Sequence, residues 1–485
     1  MAVKCFRLTA EIFYGFSVFT FAFNAVVIPQ LIEHKVCSNK YNSSVCSHLN
    51  KHPEIDDDVQ ENAAEWMSVL PLSALLPAFF TILMIGPISD VVGKRTTMKV
   101  PPLIYMIQSF IYIAMTRITV PFSPGFFIIP YCLSGVFGDN AGCASLAEAY
   151  ISCITLRKDR TFRMAVLESA IFFGTVIAAV SSGVLLTYFG FTGAFCMTGA
   201  VNLLNFLYVI FLLPSEKTLL PELSNESEQN QEDATVSSTP SHNKNGDGGL
   251  GNKRDITVRE MIKPWRCIKQ IGNAICVRNR RKLITAILIL FSISLFVNMG
   301  EIYFGILFIK NRPFNLKAKG IGYIVAIQAF FRAGGVLLIP YVCQRFLKFK
   351  DIHLVMLGFT TQTVYFLSFG FASSVLALYL IQIIGIPLSV HQPVFRSMIS
   401  KSVDTHQYGA AISAAEAVDI ASSLLTSLIS NQVYSATFPI FRGFTMCLLS
   451  VLSFMGLIGA VAFSFTFRGD IKPMHNEEQQ SLITD

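Results

Sequence analysis

Charge is what this chain has least of. Only 14% of its 485 residues are Asp, Glu, Lys or Arg, while 52% are hydrophobic. A typical soluble domain has about a quarter of its residues charged, so the composition excludes one and points to a membrane protein. Tryptophan is also scarce, with 2 residues beside 42 phenylalanines, which suits a lipid-facing surface better than a carbohydrate or peptide groove. No phosphate loop of the form G-x-x-x-x-G-K-S/T is present, so nothing points to an ATP-driven pump. No Ser/His/Asp, Cys/His or metal-ligand spacing falls among the intramembrane polar residues. The chain therefore does not read as an enzyme, and no catalytic set, metal site or cofactor is expected. The eleven cysteines lie mostly in apolar segments, where they behave as small hydrophobes. Cys37 and Cys46 alone sit in a polar loop, which makes them the disulfide candidates.

What is there is a set of long apolar runs. Segments of about 20 residues, enough to span a bilayer, fall near 10–31, 66–86, 98–118, 125–150, 164–186 and 193–213. Six more fall near 283–309, 321–343, 351–370, 373–395, 408–431 and 443–466. The first runs past twenty residues without a small-residue cleavage site and is kept as a helix rather than a signal peptide. Residues 1–213 and 283–466 thus form two six-helix halves of an all-α membrane protein, joined by a cytosolic loop, 214–282, and followed by a tail, 467–485. With both termini inside, the cytosolic segments hold 28 of the 38 Lys and Arg residues and the outer loops 9. The positive-inside rule thus accounts for the net charge of +7 without nucleic acid. Asn42, in the sequon Asn42-Ser-Ser, falls in the first outer loop and is a glycosylation candidate. Asn225 falls in the inner loop, where glycosylation is not expected. Within that loop, 221–252 is polar and reads as disordered. Residues 253–282 are basic and read as an amphipathic helix on the anionic inner leaflet or as an orienting basic flank.

Few charges lie inside the spans, and each has a cost of roughly 2.5–3.5 kcal/mol near the bilayer centre unless it faces a partner or a watery cavity. Asp139 lies in span four among Gly135, Gly138, Asn140 and Gly142. Glu168 stands alone on apolar span five, and desolvation of such a carboxyl favours the neutral form that a proton carrier needs. Glu148 lies nearer the inner surface and reads as a solvated end charge. Asn298 and Glu301 share a face of span seven at i, i+3. Glu301 and Arg332 of span eight come to similar depth, and a pair is predicted. Arg396 ends span ten, where it snorkels or faces an anion, and it is the nearest cation to Glu416 and Asp419 of span eleven. His391 reads as packing. Two six-helix halves around a long inner linker is the layout of the major facilitator fold, in which substrate binds near the midplane.

The loop after span two reads Gly86-Pro-Ile-Ser-Asp90-Val-Val-Gly93-Lys94-Arg95 and resembles the major facilitator signature G-x-x-x-D-x-x-G-R/K-R/K. Asp90 is suited to accept hydrogen bonds from a helix N-terminus and to pair with a basic residue, latching an inner gate. More specifically, GVFGDNAG at 135–142, RTFRMAVLE at 160–168, IGY at 321–323, PVFRSMISK at 393–401 and YSATFPIFRGF at 434–444 resemble solute carrier family 46, the proton-coupled folate transporter and its lysosomal relatives. The resemblance implies proton-coupled symport of organic anions by alternating access, with substrates such as folate-like compounds, steroid conjugates or cell-wall muropeptides. It implies that Glu168 couples the proton with Asp139 as the family's fourth-helix aspartate. It also implies that Arg396 binds substrate together with Asn298, Glu301 and Arg332, and that Gly86, Asp90, Gly93, Lys94 and Arg95 form the gate motif. Asn298 stands where the folate transporter has a histidine, which weakens the case for folate. The family's disulfide between the first and fourth outer loops has no cysteine at 310–320 to form it, so Cys37 and Cys46 are left to pair locally. The tail carries Glu478-Gln-Gln-Ser-Leu482-Ile483, an acidic dileucine pattern read by sorting adaptors. A lysosomal or endosomal membrane is therefore expected, with the plasma membrane as the other address. Uncoupled facilitated transport and a non-transporting sensor or scaffold are the alternative readings.

Overall fold

A computed structural model describes residues 8–41, 46, 53–118, 123–215, 264–275, 280–310, 314, 318–404, 407–437, 441 and 443–467. Among them the secondary structure is helical throughout. The helices are α1 (Ala10–Lys40), α2 (Pro53–Val92), α3 (Lys94–Thr97), α4 (Val100–Arg117), α5 (Ile128–Val136), α6 (Asp139–Ile154), α7 (Arg160–Leu207) and α8 (Pro264–Ile275). They continue as α9 (Arg281–Lys310), α10 (Ala318–Arg345), α11 (Asp351–Gly370), α12 (Val375–Ile384), α13 (His391–Lys401), α14 (Tyr408–Thr437) and α15 (Phe444–Thr466).

Each of the twelve apolar runs meets a helix or a broken pair of helices. Span four is α5 plus α6, interrupted at Phe137–Gly138, and span ten is α12 plus α13. Spans five and six are continuous in α7, which turns at Gly190. There φ is +64°, a conformation that a side chain would strain, so glycine makes the turn without breaking the chain into a loop. α2 starts well before its apolar run, at Pro53, and its first turns carry Glu54 and Asp58. Glu54 beside the positive end of the dipole favours that extension beyond the apolar run.

The chain divides into two compact units: Met1–Val277 with Arg396–Leu424, and Arg278–Phe395 with Leu425–Asp485. In the first unit α1 lies along α7, α4 packs on α7, and α2 packs on α5 and α6. One buried cluster joins Phe13, Tyr14 and Val18 of α1 to Tyr150 and Leu167. A second joins Phe23, Val27 and Leu31 to Tyr112, Phe127 and Phe195. At the C-terminal end of α1, Cys37 and Cys46 form a disulfide, and Lys40 pairs with Asp58 at 3.0 Å. α8 buries Cys267, Ile271 and Ala274, the last two against Ala410 and Ala414 of α14. Its apolar face is thus covered by protein, while Trp265 stays 74% exposed. Burial pushes the Cys267 thiol up from its ordinary pKa.

In the second unit α11 and α9 both pack on α15, and α10 packs on α12. Its core joins Val297, Phe304 and Ile324 to Tyr365, Phe366, Leu388 and Met446.

Candidate functional site

In the first unit, four acids converge on Arg396. Its Nη1 donates to Glu168 Oε2 of α7 at 2.8 Å, and its Nε donates to Glu416 Oε1 of α14 at 3.0 Å. Glu148 Oε1 of α6 lies 3.0 Å from the same Nε. Asp419 Oδ2, one turn beyond Glu416, lies 3.7 Å from Nη2. Tyr14 of α1 also faces the group. Only Asp419 keeps appreciable solvent contact, its side chain being 20% exposed. The local sequence explains the placement. α13 begins with Pro393 near its N-terminus and carries Arg396, Ser397 and Ser400 on a short polar helix, while Glu416 and Asp419 share a helical face by their i, i+3 spacing.

Glu148 corrects the expectation of a solvated end charge: the residue is 2% exposed. Its burial comes from Arg396, a partner 248 positions away in sequence, which no reading of span four alone could supply. Asp139 stands apart from the cluster. It opens α6 with φ +48°, beside Ser134 and facing Tyr131.

The signature segment, expected as a loop, lies on the last turns of α2 and the start of α3; there Asp90 Oδ1 accepts from Lys94 Nζ at 2.8 Å and from the Gly409 N–H at 2.9 Å. Its Oδ2 accepts from the Ala410 N–H at 3.0 Å. The carboxylate therefore sits on the first turn of α14, where free N–H groups and the helix dipole favour an anion. Gly86 and Gly409 approach so closely that a Cβ on either would meet the other's carbonyl oxygen. Gly93, with φ +102°, turns the chain into α3, and Arg95 donates to the carbonyls of Val209 and Ile210. Sequence reasoning missed the neighbours of this segment. Arg160, 2% exposed, donates to Ser152 O, Ser400 O and Tyr408 Oη. Thr161 meets Ser397 at 2.8 Å, and Ser145 meets Ser413 at 2.9 Å. The available signal was a cluster of small hydroxyl residues in α13 and α14, without direction as to partner.

In the second unit, Arg332 Nη2 and Gln328 Nε2 both donate to Glu301 Oε1, and the guanidinium lies 5.7 Å from the Tyr365 ring centroid. Asn298, one turn before Glu301, is half-buried. His391 is fully buried, hydrogen-bonded through Nε2 to Ser294 and packed on Phe359 and Phe395. Asn42, Glu478, Leu482 and Ile483 lie outside the described residues. Among the described residues no His, Cys, Asp or Glu group is arranged to hold a metal ion.

A long helical chain with an acid-and-arginine core and this signature segment matches the model of the Major Facilitator Superfamily over residues 12–427. The chain belongs to the major facilitator superfamily. It is a multi-pass membrane transporter rather than an enzyme. A lysosomal proton-coupled steroid conjugate and bile acid symporter, SLC46A3 of Gallus gallus, is 24% identical over 454 residues, covering 91% of this chain and 90% of its own. The proton-coupled folate transporter of Rattus norvegicus is 23% identical, covering 94% and 92%. Among solved structures, the human organic anion transporter MFSD10 superposes with a TM-score of 0.69 at 14% identity, covering 93% of this chain and 97% of that one. The proton:xylose symporter XylE gives 0.62 at 14% identity, covering 94% and 93%. Identities this low carry the fold alone.

Proposed function

We propose that this chain is a proton-coupled symporter of organic anions. The observation that carries the reading is the Glu168 carboxylate on the Arg396 guanidinium at 2.8 Å. An arginine fork suits a carboxylate, sulfate or phosphate, and Glu168 occupies part of it. A proton on Glu168 removes the competing charge, so Nη1 turns to an anionic group of the substrate. Loss of the proton restores the Glu168–Arg396 pair and expels the anion. Proton and anion uptake are then thermodynamically linked. Asp139 is a further candidate for proton coupling, and Asn298, Glu301 and Arg332 are candidates for substrate contact; Asp90 with Lys94, in the Gly86–Arg95 signature, is a candidate latch for alternating access. The substrate classes carried by the relatives, folate-like compounds and steroid conjugates, together with muropeptides, are the ones to test first. A lysosomal membrane, cytosolic termini, glycosylation at Asn42 and adaptor recognition of Glu478, Leu482 and Ile483 belong to the same reading.

The test is uptake by cells expressing a surface-trapped form, Leu482→Ala with Ile483→Ala, offered labelled folate, an antifolate, a steroid sulfate and a muramyl peptide. Uptake of one of them that rises on acidifying the medium and is lost in Glu168→Gln is the expected result. Uptake indifferent to both pH and the substitution overturns coupling in favour of facilitated diffusion. Absence of all uptake in protein shown to reach the surface favours a sensor.

A further inference from the structure

Four carboxyl groups face the single Arg396 guanidinium, and they are not equally supported. Glu168 holds a hydrogen bond from Nη1, and Glu416 holds one from Nε. Glu148 Oε1 lies at the same 3.0 Å from Nε as Glu416 Oε1. That nitrogen has one hydrogen and directs it to Glu416. The other oxygen of Glu148, Oε2, is buried with no hydrogen-bond partner among the described residues. An ionised Glu148 would thus be a buried anion with no donor of its own, set among Glu168, Glu416 and Asp419. Two carboxyl oxygens from α6 and α14, each 3.0 Å from one N–H nitrogen, are close neighbours, and like charges in such a pair do not both ionise. A carboxylic acid beside a carboxylate removes the conflict, since the acid supplies the O–H donor that the pair lacks.

We infer that Glu148 and Glu416 form a second proton-holding pair in the Arg396 cluster, with the proton on Glu148 and the charge on Glu416. The proton reaches Glu148 as its carboxylate becomes a carboxylic acid, and it leaves by the reverse step to water, with no other bond made or broken. The charged and titratable groups facing Glu148 are Arg396 of α13, Glu416 and Asp419 of α14, Glu168 of α7 and Tyr14 of α1. On the proposed symport reading, which this inference extends, the cluster carries a second proton besides that of Glu168.

Infrared difference spectroscopy on the purified full chain in detergent tests this without any substrate. Wild type minus Glu148→Gln at neutral pH should show a carboxylic-acid C=O band that shifts in heavy water. A difference spectrum containing only carboxylate bands overturns the inference. Glu416→Gln provides the second variant. With Glu416 neutral, the Arg396 Nε–H turns to Glu148, which ionises, so the same band should disappear. A band that persists in Glu416→Gln overturns the pairing. In the uptake assay, the steepness of acid stimulation should fall from that of two protons to that of one in Glu148→Gln, and an unchanged steepness counts against the second site. Loss of the symport reading shows separately, as acid-stimulated uptake that survives Glu168→Gln with the infrared band still present.

Discussion

Two buried arginines in this protein have been given opposite company. Among the described residues, Arg332 of the second unit pairs with one acid, Glu301, to which neutral Gln328 also donates, and its guanidinium lies beside the neutral Tyr365 ring. Arg396 of the first unit faces four acids. A one-to-one pair closes its own charge. An overloaded arginine cannot hold every carboxylate ionised in a low-dielectric site, so its stable state depends on how many protons the acids carry. The first arrangement is suited to a tie between helices and the second to a proton-linked switch.

The comparison can be broken most severely at Arg396. Arg396→Ala leaves four carboxyls without their cation. It should cost at least about 3–5 kcal/mol, the scale of breaking a buried pair, and abolish acid-stimulated uptake. Thermal unfolding in detergent together with the uptake assay reads both. Arg396→Lys keeps the charge but not the fork, and should recover stability more than uptake. Unchanged stability in the alanine variant would mean that the acids are not organised by this residue.

The Arg332 pair should behave as a closed unit. Glu301→Ala alone strands a buried cation and should cost about 3 kcal/mol, whereas Glu301→Gln with Arg332→Met should recover most of that loss. The pH profile of transport in the double variant should match wild type. A shifted profile would place a proton at this pair and remove the contrast.

The smallest effect belongs to the signature segment. Asp90→Asn keeps an acceptor for the Gly409 and Ala410 N–H groups but loses the charge that pairs with Lys94. About 1–2 kcal/mol is expected, with Lys94→Met giving a similar value. The two losses should be strongly non-additive in the double variant, because both substitutions break one interaction. Additive losses would show that Asp90 and Lys94 act separately.

Much of this was legible along the chain. The span pattern, the suitability of Asp90 for a helix N-terminus and the match in depth of Glu301 and Arg332 follow from hydropathy, residue type and helical rise, all local properties. Glu148 was misread for the complementary reason. On its own helix it resembles any charge near a membrane surface, and what buries it arrives from α13. Arg160 likewise gave no sign of its partners, since Ser400 and Tyr408 are ordinary residues until the chain brings them together.

The sequence by itself determined that the chain crosses a membrane repeatedly, because apolar length and scarce charge leave a backbone no other way to satisfy its hydrogen bonds in lipid. Only the tertiary structure decided that Arg396 is shared among Glu148, Glu168, Glu416 and Asp419. Electrostatic energy depends on distance in space, and these five side chains span 271 positions of sequence, from 148 to 419.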